Sequence, residues 1–107
     1  MSEEKKLVEM SRGELREAIA GYREKARKAE MLGVINEYEV YQRKALIAES
    51  YLVDPADIVL GKVYRLIGAE AAYFKVERIK GVFAWGFRLN GDAHEEGIPL
   101  SLLQLDK

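Results

Sequence analysis

Cysteine is missing from the 107 residues. Disulfides, thiolate metal sites and a cysteine nucleophile are therefore excluded, and the composition suits a reducing cytoplasm. No run approaches the ~20 apolar residues of a membrane-spanning helix. Residues 1–6, Met1-Ser2-Glu3-Glu4-Lys5-Lys6, have no apolar core and do not read as a signal peptide. A cytoplasmic chain with no membrane partner is expected. Charge of one sign is missing too. Residues 1–53 carry ten basic and ten acidic side chains, residues 54–107 seven and eight, for a net charge of -1. No global field draws nucleic acid or an anionic membrane.

Reactive chemistry is equally thin. His94 is the only histidine, in a polar stretch with Asp92, Glu95 and Glu96, which makes a poor metal cage and reads as a solvated loop. Ser50 and Ser101 have no histidine partner in sequence and no Gly-x-Ser-x-Gly elbow surrounds either. The glycines are scattered and form neither a Walker-type nor a dinucleotide loop. The glutamates alternate with Lys and Arg, as a solvated surface requires. No catalytic residue, metal ligand or cofactor is assigned, and a non-enzymatic protein is expected.

What is present is a chain of ordinary globular composition, 49% hydrophobic and 33% charged. Its length is that of one domain. A single α+β domain is expected over 1–107, with a helical hairpin over 11–53, a small β-barrel over 58–107 and frayed residues 1–10. Ser11-Arg12-Gly13-Glu14 is a capping box, so the first helix starts there. Leu15, Ile19, Tyr22, Ala26 and Ala29 line one narrow face, and Gly33 is a natural stop. The second helix runs from about residue 34 to about 52, with a seam of Val34, Tyr38, Tyr41, Ala45, Ala48 and Leu52. Beside it lies a second apolar line of Val40, Ile47 and Tyr51. The short link at Gly33 makes the pair antiparallel. Asp54-Pro55 ends the helical part.

Strands follow. Residues 62–67 form the first. Residues 73–79 and 82–89 form a central hairpin about a Lys80-Gly81 turn, and Asn90-Gly91-Asp92 is the next turn. Gly97-Ile98-Pro99-Leu100 starts a fourth strand. Ser101-Leu102-Leu103 makes a tight helical turn before a fifth strand over 104–106. Five short strands suggest a barrel. In the hairpin, a two-residue turn sets Val76 opposite Trp85 and Phe74 opposite Phe87. That register makes one apolar face, so Phe74, Val76, Phe83, Trp85 and Phe87 are the expected core. The other face, Ile79, Val82, Ala84 and Gly86, has small residues and offers a seat for the Val40, Ile47, Tyr51 line of helix two.

Three runs carry a resemblance: residues 24–30, Glu-Lys-Ala-Arg-Lys-Ala-Glu; residues 33–37, Gly-Val-Ile-Asn-Glu; and residues 81–86, Gly-Val-Phe-Ala-Trp-Gly. Tyr51-Leu52 with Asp54-Pro55, and Ile98-Pro99-Leu100-Ser101, add to it. The chain resembles the YfhH-like family of small, uncharacterised proteins from Bacillus-type bacteria, from about residue 11 to 105. The resemblance implies a helical hairpin followed by a five-stranded SH3-like barrel. It implies no established activity and carries over no functional residues, although some members bear a regulator label.

Two features are candidates for binding. Arg12, Arg16, Arg23 and Arg27 fall on one line of the first helix, at spacings of four, seven and four. Arginine forks suit phosphate or carboxylate, though acids of helix two such as Glu37 could absorb them. Tyr73 and Arg88 are expected opposite each other on the hairpin, as a cation–π pair or the edge of a binding surface. An aromatic platform of Phe83, Trp85 and Phe87 for bases or a proline-rich peptide competes with their assignment to the core. The expected function is a small non-catalytic, regulatory interaction module with a protein partner. The alternative is a nucleic-acid-binding regulator that uses the arginine line.

Overall fold

The computed structural model describes residues 6–91 and 94–105. The chain divides into two compact units, Met1–Leu52 and Val53–Lys107. The first is an α-helical hairpin, with α1 spanning Arg12–Leu32 and α2 spanning Ile35–Ser50. A single 3-10 turn, Leu7–Glu9, precedes it within the stretch expected to fray. Residues 1–5 lie outside the described part.

Helix α1 starts where the capping box predicts. Ser11 Oγ accepts from the Glu14 amide at 3.1 Å, and Glu14 Oε1 accepts from the Ser11 amide at 2.9 Å. Two first-turn donors are thereby satisfied. It ends at Gly33, with φ 75°. The Gly33 amide donates to Glu30 O at 3.1 Å and the Val34 amide to Ala29 O at 2.9 Å. That closure needs the left-handed conformation, which glycine adopts without a Cβ clash. The facing stripes of the two helices meet along most of the predicted seam, although Val34, expected at its start, is exposed. Leu15, Ala26 and Ala29 of α1 and Ala45 and Ala48 of α2 are buried, and Tyr22 stacks on Tyr41 with centroids 6.5 Å apart. Small alanines let the two backbones approach. Ser50 is wholly buried at the end of α2 and donates to Leu46 O at 2.8 Å. Asp54 Oδ1 then accepts from the Ala56 amide at 2.9 Å and opens a 3-10 turn, Pro55–Asp57.

The second unit is a four-stranded antiparallel sheet in the order β1-β2-β3-β4, with β1 Val63–Arg65, β2 Tyr73–Lys80, β3 Phe83–Arg88 and β4 Glu96–Pro99. The architecture is α+β, and the sheet is open with four strands where a closed five-stranded barrel was expected. A 3-10 turn, Leu100–Leu102, follows β4. After it the fifth element is reduced to one bridge, Leu66 to Leu103. The Ile67 amide donates to Leu102 O at 2.8 Å and the Gln104 amide to Arg65 O at 2.9 Å. Asp106, the expected end of that strand, lies outside the described residues, as does Asp92 of the expected turn after β3.

The hairpin register corrects the expectation. Gly81 and Val82 are the turn, so Lys80 pairs with Phe83, Ile79 with Ala84 and Arg78 with Trp85. A bulge at Glu77 shifts the count by one. Val76 then pairs with Gly86, Lys75 with Phe87 and Phe74 with Arg88. The two faces of β3 are exchanged relative to the expected register. Ala84 and Gly86 lie inside, while Phe83, Trp85 and Phe87 lie on the opposite face and are half-buried. The apolar alternation was read from bulk alone. The inner face is filled instead by large side chains from other strands, with Phe74, Val76 and Leu100 fully buried beside Tyr64, Leu66 and Ile98. Burying Phe74 in this way contributes about 2–3 kcal/mol. The Tyr64 hydroxyl accepts from the Val59 amide at 2.9 Å, so its polar tip is satisfied. Ala84, proposed from sequence as a seat for helix two, sits in this unit's own core.

Candidate functional site

The structure separates the binding candidates. All four arginines of α1 are exposed. Arg23 donates to Glu49 at 2.8 Å and to Gln42 at 3.1 Å, both on α2. Arg27 is held by Glu24 of its own helix at 2.6 and 3.2 Å. The acid that absorbs Arg23 is Glu49, not Glu37. Hydrogen bonds from the Arg27 fork hold the Glu24 carboxyl below the usual glutamate range, against an opposing desolvation and with the positive charges of Arg27 and Lys28 adding to the effect. The same pairing raises the Arg27 guanidinium. Half of the line is thus engaged by carboxylate, and Arg12 and Arg16 stand at its N-terminal end.

Tyr73 and Arg88 are not partners. Tyr73 pairs with Arg65 of β1, and Arg88 pairs with Phe74 and donates from Nε to Glu96 at 2.8 Å. The expected register had set them opposite each other; the real one offsets them by one residue and onto opposite faces. His94 is exposed, and among the described residues no three His, Asp or Glu side chains gather closely enough to hold a metal ion.

One surface was missed in sequence, and one was set aside in favour of a core assignment. The first is the tip of the helical hairpin. Met31, Leu32, Val34 and Ile35 flank Gly33 and are 73%, 79%, 38% and 69% exposed. Beside them lies a cavity of ≈ 300 Å³ lined by Ala29, Glu30, Gly33, Ile35, Tyr38 and Glu39. The signal was present: Met31, Leu32 and Ile35 are large apolar residues beside a helix stop that belong to neither facing stripe. The other is the outward face of the sheet. There the Trp85 indole lies against Gly97, where a methyl group would come within 2.7 Å of the ring. The Arg78 guanidinium covers the indole at 5.4 Å and pairs with Glu95 at 3.1 Å. An open cleft of ≈ 530 Å³ adjoins β1, lined by residues 65–70 and Gln104.

Comparison with known proteins places the chain. A family model described as protein of unknown function (DUF1811) matches residues 5–104. The chain belongs to this family. Within reach of the DUF1811 match is a curated relative, the uncharacterised protein YfhH of Bacillus subtilis (strain 168). It is 44% identical over 101 residues, which cover 94% of this chain and 96% of the relative. The resemblance read from the three sequence runs is the one found, and the family and this relative carry no assigned activity.

Proposed function

We propose that this DUF1811 protein is a small, non-catalytic, regulatory interaction module of the cytoplasm, and that the tip of its helical hairpin docks on another protein. The observation that carries this reading is the exposure of Met31, Leu32, Val34 and Ile35 around Gly33. Contiguous apolar side chains at an exposed end mark contact surfaces more often than chance placement does. The patch is narrow against the roughly 20–30 residues a side of a standard interface. Two copies meeting tip to tip would fall short of that, so the fitting partner is one that supplies an apolar groove to receive the tip. Glu30 and Glu39 border the adjoining cavity, which favours a groove with a basic rim. We also propose that the second unit is an SH3-like barrel in its strand plan. The 3-10 turn after β4 and the return of Leu103 and Gln104 to β1 support that plan.

The test is capture of partners by the full chain from a host lysate, treated with nuclease, against the same chain carrying Leu32→Glu and Ile35→Glu. Both positions are exposed, so the far-UV spectrum should not change. The expected result is a protein that survives nuclease, is lost with the double variant and crosslinks to a photoreactive residue at position 31. A partner retained equally by the double variant would remove the tip from consideration. A concentration-dependent dimer abolished by the same variant would replace the groove-bearing partner with a second copy.

A further inference from the structure

The outward face of the sheet carries a pattern that the hairpin tip does not explain. Arg65 on β1, Tyr73, Lys75 and Arg78 on β2, and Trp85 and Phe87 on β3 all project from the side opposite the core. Tyr73 is 42% exposed. At the turn end of the same face, Pro99 beside Phe83 is fully buried, so the accessible part is the end toward Tyr73. Cations and rings alternate across neighbouring strands there. Lys75 is the direct partner of Phe87, Arg78 of Trp85 and Arg65 of Tyr73.

We propose that this face binds a single-stranded nucleic acid, with bases on the rings and phosphates on the cations. Rings and cations interleaved on a sheet are the combination that takes unpaired bases, because every base has a π-face and every linkage a negative charge. Spacing selects the single strand. Trp85 and Phe87 are two residues apart on one strand, so their Cα atoms are about 6.6 Å apart and their side chains leave the same face at that spacing. Bases stacked in a duplex are only ~3.4 Å apart and cannot each meet a ring. Bases of a single strand can be splayed to that spacing. The acids on this face are set as competitors for the cations. Glu95 holds Arg78, and Glu77 lies 3.9 Å from Lys75. Exposed pairs of this kind are weak, and a phosphate that displaces Glu95 draws the Arg78 guanidinium off the Trp85 indole it covers, which opens that ring to a base. The face contacts base and phosphate, which RNA and DNA share, so the sugar is not discriminated.

The experiment titrates the full chain into fluorescein-labelled oligouridylate and oligothymidylate octamers at low and at physiological salt. Anisotropy reports binding and Trp85, the single tryptophan, reports stacking through quenching. Both octamers should bind alike at low salt and quench Trp85. Three phosphate contacts give a log–log salt slope of about -2.1, at ~0.7 per contact on a single strand. Lys75→Gln should remove about 0.7 of that slope. Tyr73→Ala should weaken binding about fivefold or more, the loss of one stacked base. Glu95→Gln should do the reverse and tighten it several-fold, which no misfolded variant would do. Absence of binding at low salt even with Glu95→Gln would overturn the proposal. So would equal affinity for a duplex of the same length, binding of only one sugar type, or Tyr73→Ala and Lys75→Gln chains that bind as the parent does. Each of these outcomes leaves the hairpin tip as it stands, since the two surfaces share no residue.

Discussion

Gly86 should be one of the least replaceable residues of the sheet, and alanine is enough to show it. A methyl group built there would lie 1.8 Å from the Lys75 carbonyl oxygen and 3.1 Å from the Glu77 amide nitrogen. A carbon–oxygen contact across strands needs about 3.3 Å, so β2 must retreat by about 1.5 Å. The obstacle is backbone at a bulge, where no side chain can rotate aside. Over-packing of this kind costs about 1–3 kcal/mol. Each ladder hydrogen bond lost as the strands part adds about 1 kcal/mol. Against this, replacing a strand glycine recovers about 0.5–1 kcal/mol of backbone entropy. The net expectation for Gly86→Ala is a loss of about 2–4 kcal/mol. Gly97→Ala is the control. Its methyl would meet the Trp85 ring at 2.7 Å, but that ring is half-buried on the surface and can tilt, so the loss should stay below about 2 kcal/mol. Urea unfolding, followed by Trp85 fluorescence and by far-UV dichroism, measures both. A Gly86→Ala protein as stable as the parent, or less affected than Gly97→Ala, would refute the strand spacing described here.

Two further outcomes are expected. Ser11→Ala removes the acceptor for the Glu14 amide and should cost about 1 kcal/mol with α1 otherwise intact, as read by helix dichroism during a melt. Glu24 should titrate below the ordinary glutamate range by NMR, and Arg27→Gln should raise its midpoint back toward that range. The sign follows from the depressed folded-state value: the pair's contribution is present above the unfolded midpoint and fades as pH falls through the folded one.

Local grammar was legible in the sequence where one residue type has one structural use. The Ser11–Glu14 box, the Gly33 stop and the Asp54-Pro55 break each set a boundary, and the apolar stripes of α1 and α2 found each other. The sheet was misread at one step. Moving the turn from Lys80-Gly81 to Gly81-Val82 shifts each β3 partner by two residues and leaves the faces as they were; the one-residue bulge at Glu77 is what exchanges them. Counting aromatic bulk favoured the wrong face, because a sheet can close over Ala84 and Gly86 when Phe74 and Leu100 fill the space from neighbouring elements. The bulge at Glu77 leaves no mark in an alternating pattern, since a period of two does not survive it. With the face went the Tyr73–Arg88 pairing. The arginine line was visible, but its engagement by Glu49 depends on how two helices rotate against each other, which spacing alone does not set; the Glu24–Arg27 pair is an i,i+3 contact within α1.

The extra residue at Glu77 also makes β2 robust to a change in its own length. On the N-terminal side of the bulge the inward residues are Phe74 and Val76; on the other side the inward residue is Ile79. Omit Glu77 and the strand alternates without interruption, every remaining side chain keeping the face it has now. An insertion or deletion elsewhere in β2 would turn half the strand inside out. At this one position a chain of 106 residues would carry the same core as a chain of 107, with a straighter strand as the difference. Strand β2 thus has one place where a change of length does no harm to the interior.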